Sequence, residues 1–130
     1  MKAIAGATLI DGTGAPPREN SVVLVEGPTI TAVGKVGQLP IPDAAELIDA
    51  GGLTLLPGLI DCHDHLAQFD YSMLGRMGLS DPPASNSIAV AGTLKQTLET
   101  GYTTVRDAAG MGVGYKQAVD SGMIPGPNLL

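Results

Sequence analysis

Pro57-Gly58-Leu59-Ile60-Asp61-Cys62-His63-Asp64-His65-Leu66 is the stretch on which the reading of the whole chain turns. A Pro-Gly turn leads into a compact apolar run, which suits a short strand buried on both faces of a parallel sheet. On a strand, residues i and i+2 point to one side. His63 and His65 then project together, Asp61 shares their face, and Cys62 and Asp64 point away. Two imidazoles so placed can ligate one divalent metal such as zinc. A thiolate-rich zinc finger is not expected, because Cys62 faces away from the pair. Asp61 and Asp64 lie on opposite faces and so do not form a carboxylate dyad.

Downstream, the periodicity changes. Residues 67–85 read as a long irregular stretch, of the kind that often covers an active site. It carries Tyr71, Met73, Arg76 and Met77; Arg76 either meets a substrate carboxylate or is simply solvated beside packed methionines. Ile88, Ala91, Leu94 and Leu98 then repeat at helical spacing, and Gly101 caps the helix. Residues 103–107 form a second strand, 113–121 a second helix stopped by Gly122, and Pro127-Asn-Leu-Leu130 enters a third strand. Strand, helix, strand, helix is the pattern of parallel β/α units. In β/α barrels the C-terminal ends of the strands gather the catalytic residues, and His63 and His65 sit at such an end. They are also the only two histidines in the chain. An ordinary polar strand end would look similar, but this position favours metal ligation. Arg106 and Asp107 end the second strand on the same side, as supports of the site, an ion pair, or a cap for the next turn.

Upstream, the chain reads as short strands and turns. Residues 3–10 form one strand, 21–26 and 29–33 a hairpin around Gly27-Pro28, and Pro40 and Pro42 a loop. Residues 46–49 and 53–56 flank Gly51-Gly52 as a further pair of strands. The expected organisation is a small β-sheet region over 1–56 followed by β/α units over 57–130.

Bulk properties narrow the function. With 44% hydrophobic and 15% charged residues among 130, the composition is that of a soluble globular chain of about one domain. There is no Trp, three Tyr and one Phe, so the core must be aliphatic. A net charge of −6 repels phosphate backbones and anionic lipid, so neither nucleic acid nor a membrane surface is an expected partner. One cysteine, Cys62, precludes an internal disulfide and fits a reducing, cytoplasmic compartment. The apolar start is short and runs into Asp11-Gly-Thr-Gly14, which favours a first strand over a signal peptide.

The run Leu55-Leu-Pro-Gly-Leu-Ile-Asp-Cys-His-Asp-His-Leu66 resembles the first barrel strand of the amidohydrolase superfamily. Ala7-Thr-Leu-Ile-Asp-Gly12 and Ile30-Thr-Ala-Val-Gly34 are similar to strands of that family's N-terminal β-sandwich. Thr100-Gly-Tyr-Thr-Thr-Val-Arg-Asp107 and Gly122-Met-Ile-Pro-Gly-Pro127 resemble the imidazolonepropionase-like and prolidase-like branch. The resemblance implies an α/β fold: half of a small β-sandwich (1–56), then the first two β/α units of a TIM-like barrel (57–130). It implies a binuclear divalent metal centre, zinc being usual, with His63 and His65 binding one ion. Later strands of the family supply a bridging carboxylated lysine, two histidines and an aspartate base. A metal-activated hydroxide then attacks the carbonyl of a small amide, lactam or dipeptide substrate.

A full barrel takes ~250 residues, so this chain has room for about two of its eight units. Both histidines are used on the first strand, and Lys95 and Lys116 fall on helix surfaces. The expectation is an N-terminal portion of a longer metallohydrolase, inert by itself, with homo-oligomerisation left open. Two alternatives come from other classes. One is a non-catalytic interaction protein that keeps the fold. The other is a nucleotide-binding domain resting on Gly110-Met-Gly-Val-Gly114, which misses the Gly-x-Gly-x-x-Gly fingerprint because Tyr115 takes its last place.

Overall fold

The computed structural model describes residues 1–67 and 83–130. They form two compact units, Met1–Pro57 and Gly58–Leu130.

The first unit is built around β1 (Lys2–Leu9). β2 (Arg18–Glu26) runs antiparallel to it, and β3 (Thr29–Lys35) runs antiparallel to β2 through the turn at Gly27-Pro28. The sequence suggested that the strands flanking Gly51-Gly52 form a pair. Instead β4 (Glu46–Asp49) and β5 (Thr54–Leu55) both lie parallel to β1, end to end along one edge. Backbone bonds from Ala50 N–H to Ala5 (2.8 Å) and from Thr8 N–H to Leu53 (2.9 Å) carry the chain through the turn without reversing it. Ala3, Val22 and Leu24 form the core, packed by Ala5, Ala32, Leu39, Ile41 and Ala45. It is aliphatic, as the composition requires. The buried Ser21 hydroxyl donates to the Ala7 carbonyl at 2.8 Å, which offsets the cost of removing it from water.

The second unit alternates strand and helix: β6 (Leu59–Asp64), α1 (Pro83–Glu99), β7 (Tyr102–Asp107), α2 (Val113–Asp120) and β8 (Asn128–Leu129). The three strands form a parallel sheet in the order β6-β7-β8. Both helices stop at a glycine in the left-handed region, Gly101 at φ +99° and Gly122 at φ +72°. Their N–H groups bond back to the carbonyls of Leu98 (3.0 Å) and Val119 (2.9 Å), closing each final turn. α1 packs on β7 and α2 on β8, around a core of Leu66, Val90, Leu94, Val105 and Leu129.

Three expectations change here. The buried row of α1 is Val90 and Leu94, while Ile88 is 76% exposed. Small residues around it (Ala89, Ala91, Gly92) leave the phase of the apolar stripe undecided in the sequence. Among the described residues β6 is not covered on both faces: Leu59 and Ile60 are 44% and 66% exposed. Finally, residues 83–85 belong to α1, which Pro83 opens at a position where no N–H is needed. Residues 68–82 of the expected covering stretch, with Tyr71, Met73, Arg76 and Met77, lie outside the described residues. No described helix is long and apolar enough to cross a membrane.

Candidate metal centre

The end of β6 departs from a regular strand at the residues of interest. Its partners on β7 run Leu59 to Tyr102, Ile60 to Thr104, Asp61 to Val105 and Asp64 to Asp107. Between the last two pairs β6 advances three residues while β7 advances two. Cys62 and His63 therefore occupy a bulge opposite Arg106, and His65 lies one residue beyond the strand. A bulge of this kind re-aims side chains at strand ends, and the two histidines meet beside it. The ring centroids are 5.3 Å apart and the planes cross at 79°.

Local carboxylates hold this irregular backbone. Asp61 Oδ1 accepts the His63 N–H at 2.9 Å, and Asp64 Oδ1 accepts the His65 N–H at 2.7 Å. Asp61 is therefore a local backbone acceptor, a use that Asp-x-His signals in sequence terms because Asp commonly binds the N–H two residues on. Arg106 and Asp107 both turn to β6 as well. Arg106 Nη1 donates to the Cys62 carbonyl at 3.2 Å, and Asp107 Oδ2 accepts the Leu66 N–H at 2.9 Å. Cys62 is exposed and free.

The pair can be tested against a metal ion on two observations. Zinc–imidazole bonds of about 2.0–2.1 Å at a tetrahedral angle place two ring centroids about 5 Å apart, close to the spacing seen. The Nδ1 atom of His65 is buried and has no hydrogen-bond partner among the described residues. Such an atom is costly to leave unpaired and is open to a ligand. His63 and His65 therefore fit as two members of a ligand set. No group of three or more His, Cys, Asp or Glu that could hold an ion occurs among the described residues. Lys95 and Lys116 lie on the helices, paired with Glu99 (3.6 Å) and Asp120 (3.2 Å). Gly110 to Gly112 lead into α2, whose N-cap is Gly112, and Gly114 lies in its first turn.

Residues 46–127, which include this strand end and its support on β7, match the profile of the amidohydrolase family. The chain belongs to that family. Ochratoxinase of Aspergillus niger is 34% identical over 128 residues, covering 97% of this chain and 26% of the relative. Imidazolonepropionase of Pseudomonas paraeruginosa is 51% identical over 47 residues, 36% of this chain and 12% of that protein. Among solved structures, a prolidase complexed with N-methylphosphonate-L-proline is similar at a TM-score of 0.83 and 30% identity. That match covers 98% of this chain and 30% of the prolidase. The imidazolonepropionase-like and prolidase-like resemblance read from the sequence is borne out, and the amidohydrolase chain spans under a third of each of these relatives.

Proposed function

We propose that this amidohydrolase chain forms the first part of a metal-dependent hydrolase acting on C–N bonds of a small amide, lactam or dipeptide. The observation that carries the reading is the His63–His65 pair, 5.3 Å apart, with a buried ring nitrogen that has no partner among the described residues. In this reading β6 to β8 are the opening strands of a TIM-like barrel, and the pair lies at its catalytic end. His63 and His65 hold one divalent ion, zinc being the expected species, in what becomes a binuclear centre in the complete enzyme. Bound there, the cation supplies Lewis acidity toward a carbonyl and activates water near neutral pH. Asp61 and Asp64 fix the histidine backbone. The names of the relatives, imidazolonepropionase and prolidase, support cyclic amides and proline dipeptides as the substrate classes.

Two measurements test this. The isolated chain supplied with zinc is expected to turn over no Xaa-Pro dipeptide; turnover would show that the pair does not need further ligands. A chimera in which this chain replaces the matched 128 residues of the ochratoxinase is expected to retain ochratoxinase activity and lose it on His63→Asn. A folded chimera whose activity survives that substitution would overturn the proposed role.

A further inference from the structure

We infer that Asp107 is a positioning residue for the metal pair: its carboxylate, delivered by the neighbouring strand, sets the direction of the His65 ring. The inference rests on the proposed metal site and adds a component from β7 to it. Asp107 ends β7 and pairs in register with Asp64, the last residue of β6. Beyond Asp64 the ladder stops, so the next N–H groups need other acceptors. Asp107 Oδ2 supplies one, taking the Leu66 N–H at 2.9 Å across a sequence separation of 41. On the other flank, Ala108 N–H donates to the Asp64 carbonyl at 2.7 Å. His65 thus lies between two peptide groups tied to the end of β7. Leu66 itself is anchored in the core at 5% exposure.

These ties explain how two facing aspartates coexist. Like charges directly opposite one another destabilise a sheet. Here each carboxylate receives its own backbone N–H, Asp64 from His65 and Asp107 from Leu66. The bond that stabilises Asp107 is the one that fixes the peptide following His65. Without it that peptide loses its one tie to Asp107, and the His65 ring is expected to lose its fixed direction toward His63.

Charge and acceptor position are separable by substitution. Asp107→Asn keeps an oxygen acceptor at the same reach and removes the charge. Asp107→Glu keeps the charge and moves the acceptor by one methylene. Asp107→Ala removes both. Zinc affinity of the 130-residue chain, measured by competition with a chromophoric chelator, is expected to stay near wild type in Asn. It should fall about tenfold in Ala, the low end for loss of a group that orients a ligand, and fall in Glu as well. In the metal-free chain, the cross-relaxation signal between the His63 and His65 rings should persist in Asn and weaken in Ala and Glu. If Asp107→Glu matches wild type while Asp107→Asn weakens, charge or direct ligation is responsible and the positioning role is wrong. That ordering decides the matter even if the Ala variant does not fold. Wild-type zinc binding no tighter than that of His63→Asn would instead refute the metal site, while the metal-free ring signal still reports on Asp107.

Discussion

Gly58→Ala is expected to lower the urea midpoint of the Gly58–Leu130 unit by an amount equivalent to about 1–3 kcal/mol, the usual cost of overpacking. A Cβ at residue 58 would fall on the Thr103 side chain of the adjoining strand. Rotating Thr103 about χ1 moves its Oγ1 and Cγ2 but leaves its own Cβ, which would stand 2.7 Å from the new atom. The backbones cannot separate easily, because Leu59 N–H bonds the Gly101 carbonyl at 2.9 Å and starts the β6–β7 ladder. Adding Thr103→Gly should recover part of the loss, whereas the same change in a Gly58 background should not stabilise. Double-mutant analysis of the four proteins isolates that contact. A Gly58→Ala protein with the wild-type midpoint would show that the two strands are not so close. The effect bears on function, since the register begun at Leu59 places His63 and His65 at the far end of β6.

Why some of this was legible before the structure and some was not follows from the range of the interactions. The hairpin at Gly27-Pro28, both glycine-capped helices and the strand–helix alternation arise within a few residues, and local composition reports them. The parallel docking of β4 and β5 on β1 involves partners some 45 residues apart and carries no local signature. Within the site, the residue types and their nearness in sequence were enough to single out His63 and His65. The bulge at Cys62 and His63 was not legible, because only the register against β7 and the Asp61 bond to His63 N–H reveal it. Asp107 was one of several open readings, since only its register against Asp64 shows which N–H it reaches. Counting sets one limit directly: His63 and His65 are the only histidines among these 130 residues, so no third imidazole comes from them.

His65→Leu is expected to change stability in opposite directions with and without zinc. In the metal-free chain, a buried nitrogen such as His65 Nδ1, without a partner among the described residues, costs roughly 1–3 kcal/mol, so an apolar side chain of similar size should raise the urea midpoint. Zinc binding to the native state alone adds RT ln(1 + [Zn]/Kd), or about 2.7 kcal/mol at 100 times Kd. Wild type should show this gain and the Leu variant should not, so the order of stabilities reverses as zinc is raised. His63→Asn supplies the contrast. His63 is exposed, so its metal-free stability should stay within about 0.5 kcal/mol of wild type. Its zinc-dependent gain should nevertheless vanish almost as fully as in His65→Leu, because one imidazole alone is a poor zinc site. A histidine kept for packing behaves differently: replacing it lowers stability at every zinc concentration, with parallel curves. Parallel curves for His65→Leu would remove the metal from the account of this strand end, and crossing curves would tie the unpaired ring nitrogen to a bound ion.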